Sequence, residues 1–182
     1  MTFQVGEKIV YPNHGVATIE NISSRPFTGQ AERFYLLRLN ATSLTVMVPC
    51  SHADDLRLRR VTRNGAMVRV LDYLGEPHRA RPQDWKDRFR ENTDKMSSGG
   101  SLEVAEVLKS LIVLQQSAQP SSQQGVQQCA KPLSFREKKM LDRARHMLIT
   151  ELSTSRGWTE PQAVQCLEQA LAKARLRLPE AM

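Results

Sequence analysis

With 26 Lys and Arg against 19 Asp and Glu in 182 residues, the chain carries a formal charge of +7. It is long enough for one large domain or two small ones, and the charge attracts polyanions at long range without specifying a fold. Cys50, Cys129 and Cys166 form no C-x-x-C pair, the start Met1-Thr2-Phe3-Gln4-Val5-Gly6 has no apolar signal region, and no apolar run approaches the roughly 18 residues of a membrane span. These features predict a cytoplasmic protein of a reducing compartment, with no membrane partner.

Residues 1–50 have the composition of short strands. Ile9 to Tyr11, Val16 to Ile22, Phe34 to Leu39 and Leu44 to Val48 are rich in β-branched and aromatic side chains. Turn formers separate them at Gly6, Pro12-Asn13-His14-Gly15, Pro26 with Gly29, and 40–43. Four or five such strands bury an apolar face by curling, so a small SH3-like or Tudor-like β-barrel is expected over 1–53, its last strand ended by Pro49.

Beyond residue 55 the period becomes helical. Val61 to Leu74 carries Met67, Val70, Leu71 and Leu74 on one side, and Pro82 suits the first turn of a helix reaching Met96. Ser101 is placed to N-cap Leu102 to Leu114, with Leu102, Ala105, Leu108 and Ile112 in line. Ser134 and Glu137 form a capping box ahead of a helix to Leu152, striped by Leu141, Ala144, Leu148 and Leu152. A last helix opens near Thr159-Glu160-Pro161 and carries Val164, Leu167, Leu171 and Ala174. The whole is an α+β chain: a barrel, then an all-α domain of about five helices over 58–178. Within it, Gln/Ser-rich 115–131 lacks the apolar side chains to offset ordering entropy and is expected to be a flexible loop.

One stretch stands out. Between Arg79 and Lys95, Trp85 lies among Arg79, Arg81, Lys86, Arg88, Arg90 and Lys95. A flat apolar ring ringed by cations suits a wedge into DNA. The opposing reading is equally visible, because Trp85, Phe89 and Met96 fall at i, i+4 and i+11, the spacing of a buried stripe. Asp84, Asp87, Glu91 and Asp94 also cut the net charge of the stretch to +2.

No catalytic constellation is visible. The chain has no P-loop, no G-x-G-x-x-G, no H-E-x-x-H and no nucleophile elbow. Asp54-Asp55 reads more readily as solvated charge than as a metal site, and His14 as a turn residue rather than a general base. We therefore expect no enzyme, metal, cofactor or small-molecule ligand.

Phe3 to Ala17 (FQVGEKIVYPNHGVA) resembles the opening of the CarD family of bacterial transcription factors, whose barrel also occurs in transcription-repair coupling factor. Leu44 to Pro49 is similar to the family's last barrel strand. Trp85 to Asn92, Glu103 to Val107 and Glu137 to Leu141 with Ala144-Arg145 are similar to its helical domain. The similarity runs to about Leu152 and favours the short, CdnL-like branch, without an HMG-type tail.

The resemblance implies that the barrel binds the RNA polymerase β subunit. It also implies that the helical domain contacts promoter DNA upstream of the melted region, through the minor groove and the phosphate backbone. On the same resemblance, bubble collapse is expected to be slowed and the protein to be nucleoid-associated through polymerase. On this resemblance Arg25 is a polymerase contact, and Met47 occupies the place of a second contacting arginine. Trp85 matches the wedge, Lys86, Arg88 and Arg90 the basic positions beside it, and Lys138 and Lys139 a basic helix start whose N–H groups also favour a phosphate. Asp87 replaces a residue often basic in relatives. The competing readings are a free-standing DNA-binding repressor or architectural protein, and a protein–protein adaptor in which Trp85 is core.

Overall fold

The computed structural model describes residues 2–27, 30–40, 42–77, 84–118 and 132–179. Five strands, β1 (Lys8–Tyr11), β2 (Gly15–Phe27), β3 (Gln30–Leu39), β4 (Thr45–Pro49) and β5 (Arg59–Arg60), form one antiparallel sheet ordered β4-β3-β2-β1-β5. This is the expected Tudor-like meander, with a last strand returning beside the first. Ile9, Ala17, Ile19, Tyr35, Leu37, Leu39 and Val48 turn inward and are closed over by Phe3, Ala53 and Leu58.

Two features of the sheet depart from the sequence pattern. β2 continues past Ile22 and β3 begins before Phe34, because Ser24 pairs with Arg33 and Arg25 with Glu32 in a polar ribbon beyond the core. Such a ribbon has no apolar alternation to reveal it. β5, just inside the span 58–178 expected to be the helical domain, is an Arg-Arg dipeptide paired with Val10 and Ile9. The β1–β2 turn is tight: Gly15 has φ +84°, and a Cβ there would stand 3.4 Å from Thr150 Oγ1 of the helical domain. Glycine adopts that φ without strain, while the distance to Thr150 is ordinary van der Waals contact.

Among the described residues five helices follow: α1 (Asn64–Gly75), α2 (Trp85–Ser98), α3 (Ser101–Ser117), α4 (Phe135–Arg156) and α5 (Glu160–Lys173). They share one core, in which Met67, Val70 and Leu74 of α1 meet Leu108 and Leu111 of α3, Leu141, Ala144, Leu148 and Leu152 of α4, and Leu167 and Leu171 of α5. The Ser134–Glu137 capping box is formed, and a Thr159–Gln162 box opens α5.

Several helix details differ from expectation. Residues 61–63 stay extended, since the Thr62 backbone N–H donates to Glu151 rather than to a helix. Gly100, not Ser101, N-caps α3; Ser101 is buried inside its first turn, and Leu102 is exposed. α4 runs a turn beyond Leu152, to a left-handed Gly157. Residues 115–117 are helical, while the rest of the expected 115–131 loop lies mostly outside the described residues, as does Pro82.

Candidate nucleic-acid interface

α2 carries its apolar stripe out of the core. Phe89, Asn92 and Met96 share one side of the helix with Trp85, yet exposure falls from 54% at Trp85 to 5% at Asn92 and 2% at Met96. The C-terminal half is packed; the first turn projects past the core edge and leaves the indole in solvent. Lys86 places its Nζ 5.9 Å from the indole centroid. Lys86 and Arg90, one turn apart, are both exposed, as are Asp84 and Asp87. Arg79 and Arg81 lie outside the described residues.

Both ends of α2 are held. At its C-terminus Gly99 is left-handed (φ +72°), and a Cβ there would come within 2.7 Å of Pro12 in the barrel's first turn. Near its N-terminus Arg88 reaches Glu137 of α4, with Nη2 and Nε donating to Oε1 at 2.7 and 3.1 Å. Glu137 also accepts from Ser134 N at 2.9 Å through its other oxygen. Burial works to raise the Glu137 pKa, but the bonds from Ser134 and Arg88 outweigh it and the net shift is downward.

This geometry separates the expected basic residues by role. Arg88 pairs with Glu137 and fastens α2 to α4. The positive end of α4 is already neutralised by its own Glu137, so the Lys138 and Lys139 ammonium groups, both exposed, are what that helix start presents to an anion. Phe135, missed in the sequence, is 65% exposed in the same turn, with Lys139 Nζ 4.7 Å from its ring centroid. The signal was present: at 100° per residue Phe135 lies opposite Ala144, the centre of the buried stripe.

On the sheet, register places Arg25 and Met47 on one face. Arg25 pairs with Glu32 and Met47 with Leu36, and 32 and 36 have the same parity on β3. Four residues along and two strands across separate them by roughly 15 Å. Arg25 is exposed, and Met47, on edge strand β4, is 38% exposed.

The face bearing Arg25 and Met47 and the helix bearing Trp85 belong to domains clamped together. Arg59 of β5 forms a bidentate ion pair with Glu151 of α4 (Nη1–Oε1 2.6 Å, Nη2–Oε2 2.9 Å). Its Nε donates to the Gly99 carbonyl at 2.6 Å, and Nη2 to Ser101 Oγ at 3.2 Å. Thr62 N donates to Glu151 Oε1 at 2.9 Å, and Ser155 Oγ to the Thr62 carbonyl at 2.6 Å. Burial pushes the Glu151 pKa up; hydrogen bonds and charge from Arg59, with both Thr62 groups, more than reverse it.

Elsewhere, Tyr11, His14, Asp55, Arg57 and Asp94 line an open cleft at the domain junction with charges of both signs. Burial, then the nearby charge of Arg143, lowers the His14 pKa. Among the described residues no three His, Cys, Asp or Glu side chains cluster to hold a metal, Cys50 and Cys166 are free thiols, and no helix is long and apolar enough to cross a membrane.

Known proteins agree with this two-part layout. The CarD-like/TRCF RID domain matches residues 3–62, a span that includes β5, and the CarD C-terminal domain matches residues 69–168. The candidate transcription factor YdeB of Bacillus subtilis (strain 168) is 36% identical over 162 residues, covering 88% of this chain and 96% of its own length. With both domains of one family matched in order, and Trp85 and the Ser134–Glu137 box inside the matched helical part, the chain belongs to the CarD family of transcription factors.

Proposed function

We propose that this protein binds the RNA polymerase β subunit through the sheet face bearing Arg25 and Met47. Trp85 then stabilises the open promoter complex at the upstream edge of the bubble, through the minor groove. The observation that carries the reading is the exposure of Trp85 on a helix whose other half is packed. An adaptor that used Trp85 as core would bury it. Lys86, Arg90, Lys138 and Lys139 supply phosphate contacts that hold position without reading sequence. Arg88 acts at one remove, by fixing the direction of α2. The domain clamp adds support, because a polymerase-bound barrel can place an indole at a fork only if the two parts keep one geometry.

Re-annealing returns about 1.4 kcal/mol per base-pair step. An aromatic side chain stacked on a base offers about 1–3 kcal/mol, which corresponds to roughly a five- to hundredfold change in the rate of collapse. The test is Trp85→Ala in an open-complex lifetime assay with polymerase and a ribosomal-RNA-type promoter. The variant should fold, keep β-subunit binding and shorten the lifetime by about fivefold or more. An unchanged lifetime, or a variant that cannot fold, would sink the proposal.

A further inference from the structure

Phe135 is a large aromatic side chain left in solvent, and the fold gives it no structural task. It lies opposite the buried stripe of α4, and the helix start is capped without it, by Ser134 and Glu137. Its ring does have a companion in Lys139, whose Nζ sits 4.7 Å from the centroid. The same pairing occurs at Trp85 with Lys86. The two helix starts that carry these ring–ammonium pairs are tied together by the Arg88–Glu137 ion pair. Around them Lys86, Arg90, Arg136, Lys138 and Lys139 are exposed, against exposed Asp84 and Asp87.

We propose that Phe135 is a second aromatic contact to the promoter DNA, its ring set against the sugar edge of the backbone while Lys139 meets the adjacent phosphate. This rests on the Trp85 reading above and extends the same surface from α2 to α4. The excess of cations and continuity with Trp85 favour DNA over a protein surface. A ring carrying its own ammonium matches a backbone in which apolar sugars alternate with phosphates.

The experiment uses the full chain with polymerase holoenzyme and promoter. p-Benzoylphenylalanine at position 135 should photo-crosslink to DNA upstream of the bubble. Phe135→Ala should fold with an unchanged melting curve and shorten the open-complex lifetime several-fold. Lys139→Gln should reduce the log–log salt slope of complex stability by about one. Crosslinks to polymerase alone, loss of helix content in Phe135→Ala, an unaltered salt slope in Lys139→Gln, or an unchanged lifetime while Trp85→Ala shortens it would each overturn the inference and leave the Trp85 reading standing. If neither aromatic variant shortens the lifetime, both readings fall together.

Discussion

Replacing Glu151 by alanine should be among the most damaging single changes to this fold. The carboxylate is buried at the domain junction and accepts two guanidinium hydrogen bonds from Arg59 and one from Thr62 N. Removing it strands a positive charge whose side chain is only 22% exposed. Breaking one side of such a pair costs about 3–5 kcal/mol, against a total stability of about 5–15 kcal/mol. For a chain of this size that is a fall in Tm of about 6–20 °C. The control is the double replacement Arg59→Met with Glu151→Leu, which removes both charges and should recover much of the loss. Urea denaturation followed by circular dichroism reads both. A Glu151→Ala variant within about 1 kcal/mol of the parent, or a double variant as unstable as the single, would refute the assignment of the junction to this ion pair. The pH dependence has a definite sign. The folded-state pKa of Glu151 is depressed below its ordinary 4.5, so its stabilisation is complete above that value and is lost as pH falls through the folded pKa. Glu137 acts in the same direction. The parent should therefore lose stability steeply in acid below about pH 4.5, and Glu151→Ala should show a shallower loss.

Gly99→Ala should cost more than about 1 kcal/mol, because a positive φ and the rigid Pro12 ring both oppose a Cβ; a neutral or stabilising result in the same denaturation assay would contradict this. Ser134→Ala should lower stability by about 1 kcal/mol through loss of the cap, whereas Ser134→Gly should cost only a few tenths. Equal losses would argue against the capping role. Arg25→Glu should weaken capture of the polymerase β subunit while leaving the fold and the Trp85-dependent DNA contact intact, and unchanged β capture would remove Arg25 from the interface.

Local chemistry determined much of this protein. The switch from strand composition to helical period, the Ser134–Glu137 box, the α4 stripe and the Y-P-N-H-G turn all depend on residues close together in the chain, so they were legible directly. What the periodicity of α2 could not decide was whether Trp85 is core. It shares a side of the helix with Met96, and only the way α2 leaves the packed bundle shows that one is buried and the other is in solvent. Likewise β5 and the clamp join Arg59 to Glu151 across 92 positions, a pairing that leaves no local pattern. Arg88 stands in the sequence among the basic residues beside Trp85, and only tertiary packing sets it against Glu137. Periodicity reports the side of an element a residue occupies; only the packing of elements decides what that side meets, and for this protein that distinction separates a core tryptophan from an exposed one.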